Sequence, residues 1–295
     1  MNYLVYLTYG GEDFYNEALY SLLSYYKYHT VDENQVVLYT DNSAFFRRHL
    51  PELVCYIDIG EEQIKHWKGS INFIHRVKVK VLQDITQRFS GNFLYLDSDT
   101  YFKENIAGLY IKISNGNLVF DRCEGRLIDN PGGIAAKMRK FIKKESSFII
   151  PSFAEAVEID ETFTVWNAGI IGFDSAVAEE LFRVEELVDV LYLKNPLFVM
   201  EQIAFSYFFQ KIKQPVAAES YIHHYWYFKE FRKVLQEFFN YHKDKPFLQL
   251  KDELHKIDPQ YLSSEKRAYK KMTFWQKQWQ KISKGRKWAI GEYTL

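Results

Sequence analysis

"FLYLDSDTYF", residues 93–102, runs an apolar segment into two aspartates one residue apart and sets another aromatic pair directly behind them. A short, uninterrupted apolar run closed by polar residues reads as a strand buried on both faces, as in a parallel sheet. The acids at its end, Asp97 and Asp99, either cap a turn by accepting backbone N–H bonds or hold a cation.

The flanking segments have matching character. "YLVYLTY" (3–9) is a strand stopped by Gly10-Gly11, "QVVLYTD" (35–41) a second ending at Asp41-Asn42, and "LVCYIDIG" (53–60) a third. Residues 12–28 place Phe14, Ala18, Leu22 and Tyr25 at helical spacing, and residues 72–89 do so with Ile74, Val77, Val81, Ile85 and Phe89. Arg76, Lys80 and Asp84 follow one another at i+4 on a different face of that helix. Strands alternating with amphipathic helices predict an α/β fold with a mostly parallel sheet flanked by helices. Ligands of such sheets bind beyond the carboxyl ends of the strands, where Tyr9-Gly10, Asp41-Asn42 and Asp97-Ser98-Asp99 fall.

Further along, "NLVFDR" (117–122) predicts a strand and residues 132–144 a helix. "FTVWNAGIIGFD" (163–174) reads as a strand interrupted by Asn167-Ala168-Gly169, followed by helices over 175–193 and 199–212. A buried amide such as Asn167 needs partners, either a ligand or the backbone of a β-bulge. After "YIHHYW" (221–226) the chain turns helical and increasingly charged, which places a soft boundary near residue 220.

With 47% hydrophobic and 18% aromatic residues, the chain is expected to fold around a substantial core. Lys plus Arg and Asp plus Glu both number 38, which removes the global electrostatic argument for a nucleic-acid partner. Two cysteines, Cys55 and Cys123, build no disulfide framework and fit a reducing compartment. The opening "MNYLVYLTYGG" has no basic region or cleavage site, and no stretch is apolar enough to span a bilayer, so a cytoplasmic protein is expected.

Taken with its sequence company, "FLYLDSDTYF" resembles the Asp-x-Asp motif of GT-A fold glycosyltransferases. The order of later features is similar to the family 8 retaining enzymes: Asn167-Ala168-Gly169, then Glu201-Gln202 at a helix start, then the late histidines His223-His224. Glu201 stands where the usual residue is Asp, and the glycine and Lys-Pro-Trp run after the histidine is missing. The resemblance, over roughly residues 1–230, implies a nucleotide-sugar-binding and catalytic domain over 1–220 and a helical region over 221–295 that completes the site. It implies a nucleotide-sugar donor, by default UDP-linked, an Mn²⁺ or Mg²⁺ ion, and a glycan or lipid-linked acceptor.

On the same resemblance Asp99, with Asp97 and one of His223 and His224, holds the metal, strand alternation sending the two imidazoles opposite ways. Thr8, Tyr9, Asp41, Asp97, Ser98 and either Arg76 or Lys80 bind the donor, the alternative for the two bases being a solvated charged face. Asn167, Glu201 and Gln202 line the reacting sugar, which favours retention of configuration; an inverting enzyme needs a carboxylate base, for which Glu201, Asp160 or Glu161 is available.

Two other classes compete. A sugar nucleotidyltransferase expects a basic, Gly-rich loop after the first strand, whereas "TYGGEDF" has no Lys or Arg. A non-catalytic protein that binds a polyanion or a membrane through its tail is the other. Met272, Trp275, Trp279 and Ile282 form an apolar stripe in a lysine-rich helix, suited to peripheral membrane contact through residues 266–288 or to packing back on the domain.

Overall fold

The computed structural model describes residues 1–50 and 52–295. Strands and helices alternate in the first part: β1 (Asn2–Thr8), α1 (Glu12–Tyr26), β2 (Gln35–Thr40), α2 (Ser43–Phe46), β3 (Cys55–Asp58), α3 (Glu61–Lys68), α4 (Arg76–Arg88) and β4 (Asn92–Leu96). The middle contributes β5 (Thr100–Phe102), α5 (Ala107–Ser114), β6 (Val119–Phe120), β7 (Cys123–Arg126), α6 (Gly133–Ile142), β8 (Ser147–Ile150), β9 (Glu155–Glu158), β10 (Thr164–Trp166) and β11 (Ile170–Asp174). Then follow α7 (Glu180–Lys194), α8 (Met200–Ile212), β12 (Val216–Ala217), β13 (Ile222–His224), α9 (Phe231–Tyr241), α10 (Pro259–Leu262), α11 (Ser264–Lys271) and α12 (Phe274–Lys284).

The central sheet has the order β12-β6-β11-β4-β1-β2-β3. β1 is parallel to β2 and β4, and β3 is parallel to β2; β11 alone runs antiparallel, between β4 and β6. Both faces are covered, which explains the unbroken apolar runs. Tyr3, Val5, Phe93 and Tyr95 belong to one core cluster, while Leu4, Tyr6, Leu94 and Leu96 belong to the other. Each side chain so buried contributes about 1.5–3 kcal/mol, and a register slip of one residue would exchange the two sets.

The reversed β11 matters for function. Its start lies at the edge where β1 and β4 end, with Ile170 opposite Leu96 and the Asp97 N–H donating to the Gly169 carbonyl at 2.8 Å. The Asn-Ala-Gly segment is thereby set beside the acid pair. Behind the pair, β13 joins β5 in an antiparallel ladder that places His224 opposite Thr100.

The change of character at residue 220 separates no core. Phe231, Leu235, Phe238, Leu254 and Ile257 pack in the cluster that holds Leu4, Tyr6 and the buried face of α1. Arg232 closes that contact, donating from two nitrogens to the buried Glu17 at 2.9 and 3.1 Å. Past it, Trp288, Ile290 and Tyr293 also pack on this cluster. α12 between them does not turn its apolar stripe inward: Trp275 is 78% exposed and Trp279 72%. Among the described residues no helix is long and apolar enough to cross a membrane.

Candidate active site

The edge where β1 and β4 end and β11 begins opens into a cavity of about 790 Å³. Its floor centres on a residue the sequence reading passed over. Lys78, on the buried face of α4, donates to Glu201 Oε1 at 2.8 Å, to Asp97 Oδ2 at 3.1 Å and to the Ala168 carbonyl at 2.9 Å. Burial disfavours the ammonium, but Asp97 and Glu201 outweigh it and raise the Lys78 pKa above its ordinary value. The lysine therefore stays charged and ties α4, the acid pair and the first turn of α8 together.

Asp99, Asp97 and His224 offer three ligand atoms within 4.8 Å of one another. Asp99 Oδ1 lies 3.2 Å from His224 Nε2, and its Oδ2 accepts from Lys229 Nζ at 2.7 Å. On the far side of the ring, His224 Nδ1 is 3.1 Å from Oδ2 of the buried Asp121. Burial alone would raise the Asp99 pKa; His224 and Lys229 outweigh it and hold the carboxyl below the usual range. Burial works against the imidazolium too, yet the acids on its two nitrogens push the His224 pKa up to about 10.

Two carboxylates and one imidazole suit a divalent cation, and the nitrogen in the set fits Mn²⁺ better than Mg²⁺. His224 must lose its proton to serve as a ligand. Asp121 then fixes the ring as outer carboxylates do, leaving Nε2 toward the site. A carboxylate accepts at about four positions, so Asp99 can keep Lys229 on one oxygen and present the other. Gly169 allows this packing: a Cβ there would lie 2.0 Å from His224 Cε1.

Beside the charged floor stands an amide cluster. Asn167 Oδ1 accepts from the Gly169 N–H at 3.0 Å, and its Nδ2 donates to Glu124 Oε1 at 3.0 Å. Gln202 Nε2 donates to the other oxygen of Glu124, also at 3.0 Å. Asn167 is thus both the backbone tie of an irregular strand and a cavity-lining amide, so its two readings meet in one residue.

Not every expected residue reaches the cavity. Thr8, Tyr9, Asp97, Ser98, Asp99, Asn167, Glu201, Gln202 and His224 line it. Thr8 Oγ1 is buried without a hydrogen-bond partner. Arg76 and Lys80 instead point away from it, toward α7. Arg76 Nε donates to Asp189 Oδ1 at 2.7 Å, Arg76 also pairs with Glu185, and Lys80 Nζ donates to Glu185 Oε2 at 3.0 Å. Their face joins helix to helix because the cavity lies on the opposite side of α4, under Lys78. Asp41 sits outside as well, accepting from the Gly10 N–H at 2.9 Å and the Tyr15 hydroxyl at 2.6 Å, where it fixes the turn after β1. Asn42 caps α2. His223 points opposite to His224, its Nε2 3.4 Å from the Tyr227 hydroxyl.

Lys78, Asp121, Glu124 and Lys229 were missed. Lys78 had a signal: it occupies a core register with Leu82 and Ile85, where a lysine needs a reason. Asp121 had a weaker one, ending an apolar strand as Asp41 and Asp97 do.

No protein-family model and no curated protein matches the chain. Among solved structures it is similar to mouse xyloside xylosyltransferase 1 in its apo form, at 12% identity over 80% of this chain and 93% of that one, with a TM-score of 0.48. It is similar to the galactosyltransferase LgtC in complex with donor and acceptor sugar analogues, at 14% identity over 70% of each chain, TM-score 0.46. The glycosyltransferase GlyE of Streptococcus pneumoniae TIGR4 matches at 11% identity over 83% of this chain but 53% of its own length, TM-score 0.43. These are likenesses only; what the site can do depends on its own side chains.

Proposed function

We propose that this chain is a glycosyltransferase that moves a sugar from a nucleoside-diphosphate donor, a UDP-sugar, to an acceptor hydroxyl, with Mn²⁺ or Mg²⁺ held by Asp97, Asp99 and His224. The carrying observation is the convergence of those three ligand atoms within 4.8 Å, on the cavity floor that Lys78 and Glu201 share. A fixed charge arrangement of this kind suits a reaction in which a diphosphate departs from a sugar that becomes oxocarbenium-like. When bound, the cation would neutralise phosphate charge and act as a Lewis acid.

The chain's own residues supply the rest. The unpartnered Thr8 hydroxyl and the Tyr9 ring, at the end of β1, suit the nucleoside. Lys229, beside Asp99, adds positive charge where the leaving group gathers negative charge. Lys78 orients Asp97 and Glu201 toward the sugar, and the amides of Asn167 and Gln202 hold Glu124 against its other face. Retention is favoured because, of the bases considered for inversion, Asp160 and Glu161 do not line the cavity and Glu201, which does, is neutralised there by Lys78. Glu201 is paired to Lys78, Asp160 accepts from the Thr162 N–H at 2.7 Å, and Glu161 pairs with Lys143 at 3.2 Å. In a front-face retaining reaction the departing phosphate oxygen takes the acceptor proton. Inversion would implicate Glu124, and the anomeric configuration of the product, read by NMR, decides.

The test is metal-dependent hydrolysis or transfer with UDP-sugars. Asp99→Ala is expected to abolish it while leaving the fold intact; unaltered activity in that variant would sink the proposal.

A second reading concerns location rather than chemistry. The exposed Trp275, Trp279 and Ile282, with Lys270, Lys271 and Lys281 nearby, favour attachment of this end of the chain to an anionic bilayer surface. Lys270 lies 5.2 Å from the ring of Trp226, which lines the cavity, so such attachment would bring the entrance close to the lipid.

A further inference from the structure

The cavity is polar at one end and apolar at the other, and the division follows the sheet edge. From β1 through β4 to the start of β11, the lining carries Thr8, Asp97, Asp99 and Lys78. Beyond Asn167 it changes: Leu127, Ile134, Ala135, Met138, Val165 and Ile203 form an aliphatic wall. The wall's segment from Leu127 to Met138 brings no charged side chain to the cavity. Its one polar residue there, Asn130, spends its Oδ1 on the Gly132 N–H at 2.9 Å. At the rim stand Ile74 and Phe198, 53% and 57% exposed, so the apolar lining continues to the surface.

We infer that this chamber is the acceptor subsite and that the acceptor carries its hydroxyl on an aliphatic body, an alkyl chain that fills the chamber and leaves past Ile74 and Phe198. The inference rests on the transferase reading, which assigns the β1 end to the nucleoside and the charged floor to the phosphates and sugar, leaving this end for the acceptor. Glu124, held by Asn167 and Gln202, borders the chamber and offers the hydroxyl its polar contact. A free sugar is a poor occupant, because the side chains of Leu127, Ile134 and Met138 would desolvate its hydroxyls without offering them a partner. No aromatic ring lies along the wall between Leu127 and Met138 for a sugar face to stack on. An alkyl chain needs no partner there, and it would cover the apolar rim that the chain otherwise leaves in water.

The test uses the full chain with UDP and Mn²⁺ present and n-alkyl glucosides from methyl to octyl, each below its micelle concentration, with dissociation constants read by thermal shift. Affinity is expected to rise about fourfold for each methylene taken out of water, until the chamber is full. Ile134→Asn, and Val199→Asn at a residue that lines the cavity next to Phe198, should each flatten that slope while Mn²⁺-dependent UDP-sugar hydrolysis persists, which shows that the variants fold. Trp275→Ser with Trp279→Ser should leave it unchanged. Equal affinity for methyl and octyl glucoside, or free glucose binding as well as either, overturns the inference and leaves the transferase reading standing. A slope that survives the chamber variants and vanishes with the tryptophans also overturns it, since the alkyl chain then sits on α12. Failure of UDP to bind and of any UDP-sugar to be cleaved overturns the transferase reading itself, and the acceptor role with it.

Discussion

Lys78 Nζ lies 2.8 Å from Glu201 Oε1, between two side chains that are both almost wholly buried. The same ammonium reaches Asp97 at 3.1 Å, so one cation joins residues separated by more than a hundred positions in the chain and holds the acid pair in place. Buried pairs of this kind contribute little net stability compared with apolar replacements, yet breaking one side is costly.

Replacement of Lys78 by Met should therefore act on stability and activity together. Glu201 is left buried without its counter-charge, and the chain is expected to lose about 3–5 kcal/mol. Hydrolysis of a UDP-sugar should fall by about 100-fold or more as Asp97 and Glu201 lose their fixed orientation. Urea denaturation and a hydrolysis assay on the same preparation check both, and wild-type values in either would remove Lys78 from the centre of the site.

Gly169→Ala isolates the histidine. A Cβ at this position would meet the His224 ring at 2.0 Å from Cε1 and 2.3 Å from Nδ1, which requires the ring or the strand to move. The ring's tie to Asp121 and its approach to Asp99 are then lost together. Mn²⁺ affinity measured by calorimetry should fall by about 10–100-fold, the usual penalty for disturbing the outer support of a metal ligand. Unchanged affinity would argue that His224 is not a ligand.

The strand ends were legible because a strand buried on both faces has no alternation to obscure it, and Gly10-Gly11 or Asp97-Ser98-Asp99 then marks its stop. The order of Asn167, Glu201-Gln202 and His224 along the chain was also legible, and all four line the cavity. Helical periodicity placed Arg76 and Lys80 on one face but had no means of saying which neighbour that face would meet; it meets α7. Lys78 escaped because a lysine within an apolar register looks like an interruption until its two carboxylates, 19 and 123 positions away, are seen to close around it. The exposure of Trp275 and Trp279 depends on the packing of residues after them, which periodicity does not address.

Arg76→Ala tests the reassignment of that face. Its guanidinium donates to Asp189, to the Trp67 carbonyl and to Glu185, bracing α4 against α7 and the end of α3. Because these partners are partly open to solvent, the loss is expected to be about 1–3 kcal/mol rather than the full cost of a buried pair. The KM for the donor should not change, since the side chain faces away from the cavity. A raised KM with unaltered stability would return Arg76 to the donor site.

The exposed stripe on α12 predicts binding to anionic vesicles. Removing the whole tail is the wrong probe, because Trp288, Ile290 and Tyr293 pack on the core beyond it. The informative variant is Trp275→Ser with Trp279→Ser, both side chains being more than two-thirds exposed and so cheap to replace. Full-length protein should sediment with phosphatidylserine-containing liposomes at low salt. Each nearby lysine adds about 1 kcal/mol of attraction at the surface, which falls off as salt shortens the screening length. The double variant should lose most of this binding with its melting temperature unchanged, and zwitterionic vesicles should bind much less of either protein. Equal sedimentation of wild type and variant would show that the tryptophans do not enter the bilayer interface, leaving the lysines alone as the source of any attraction.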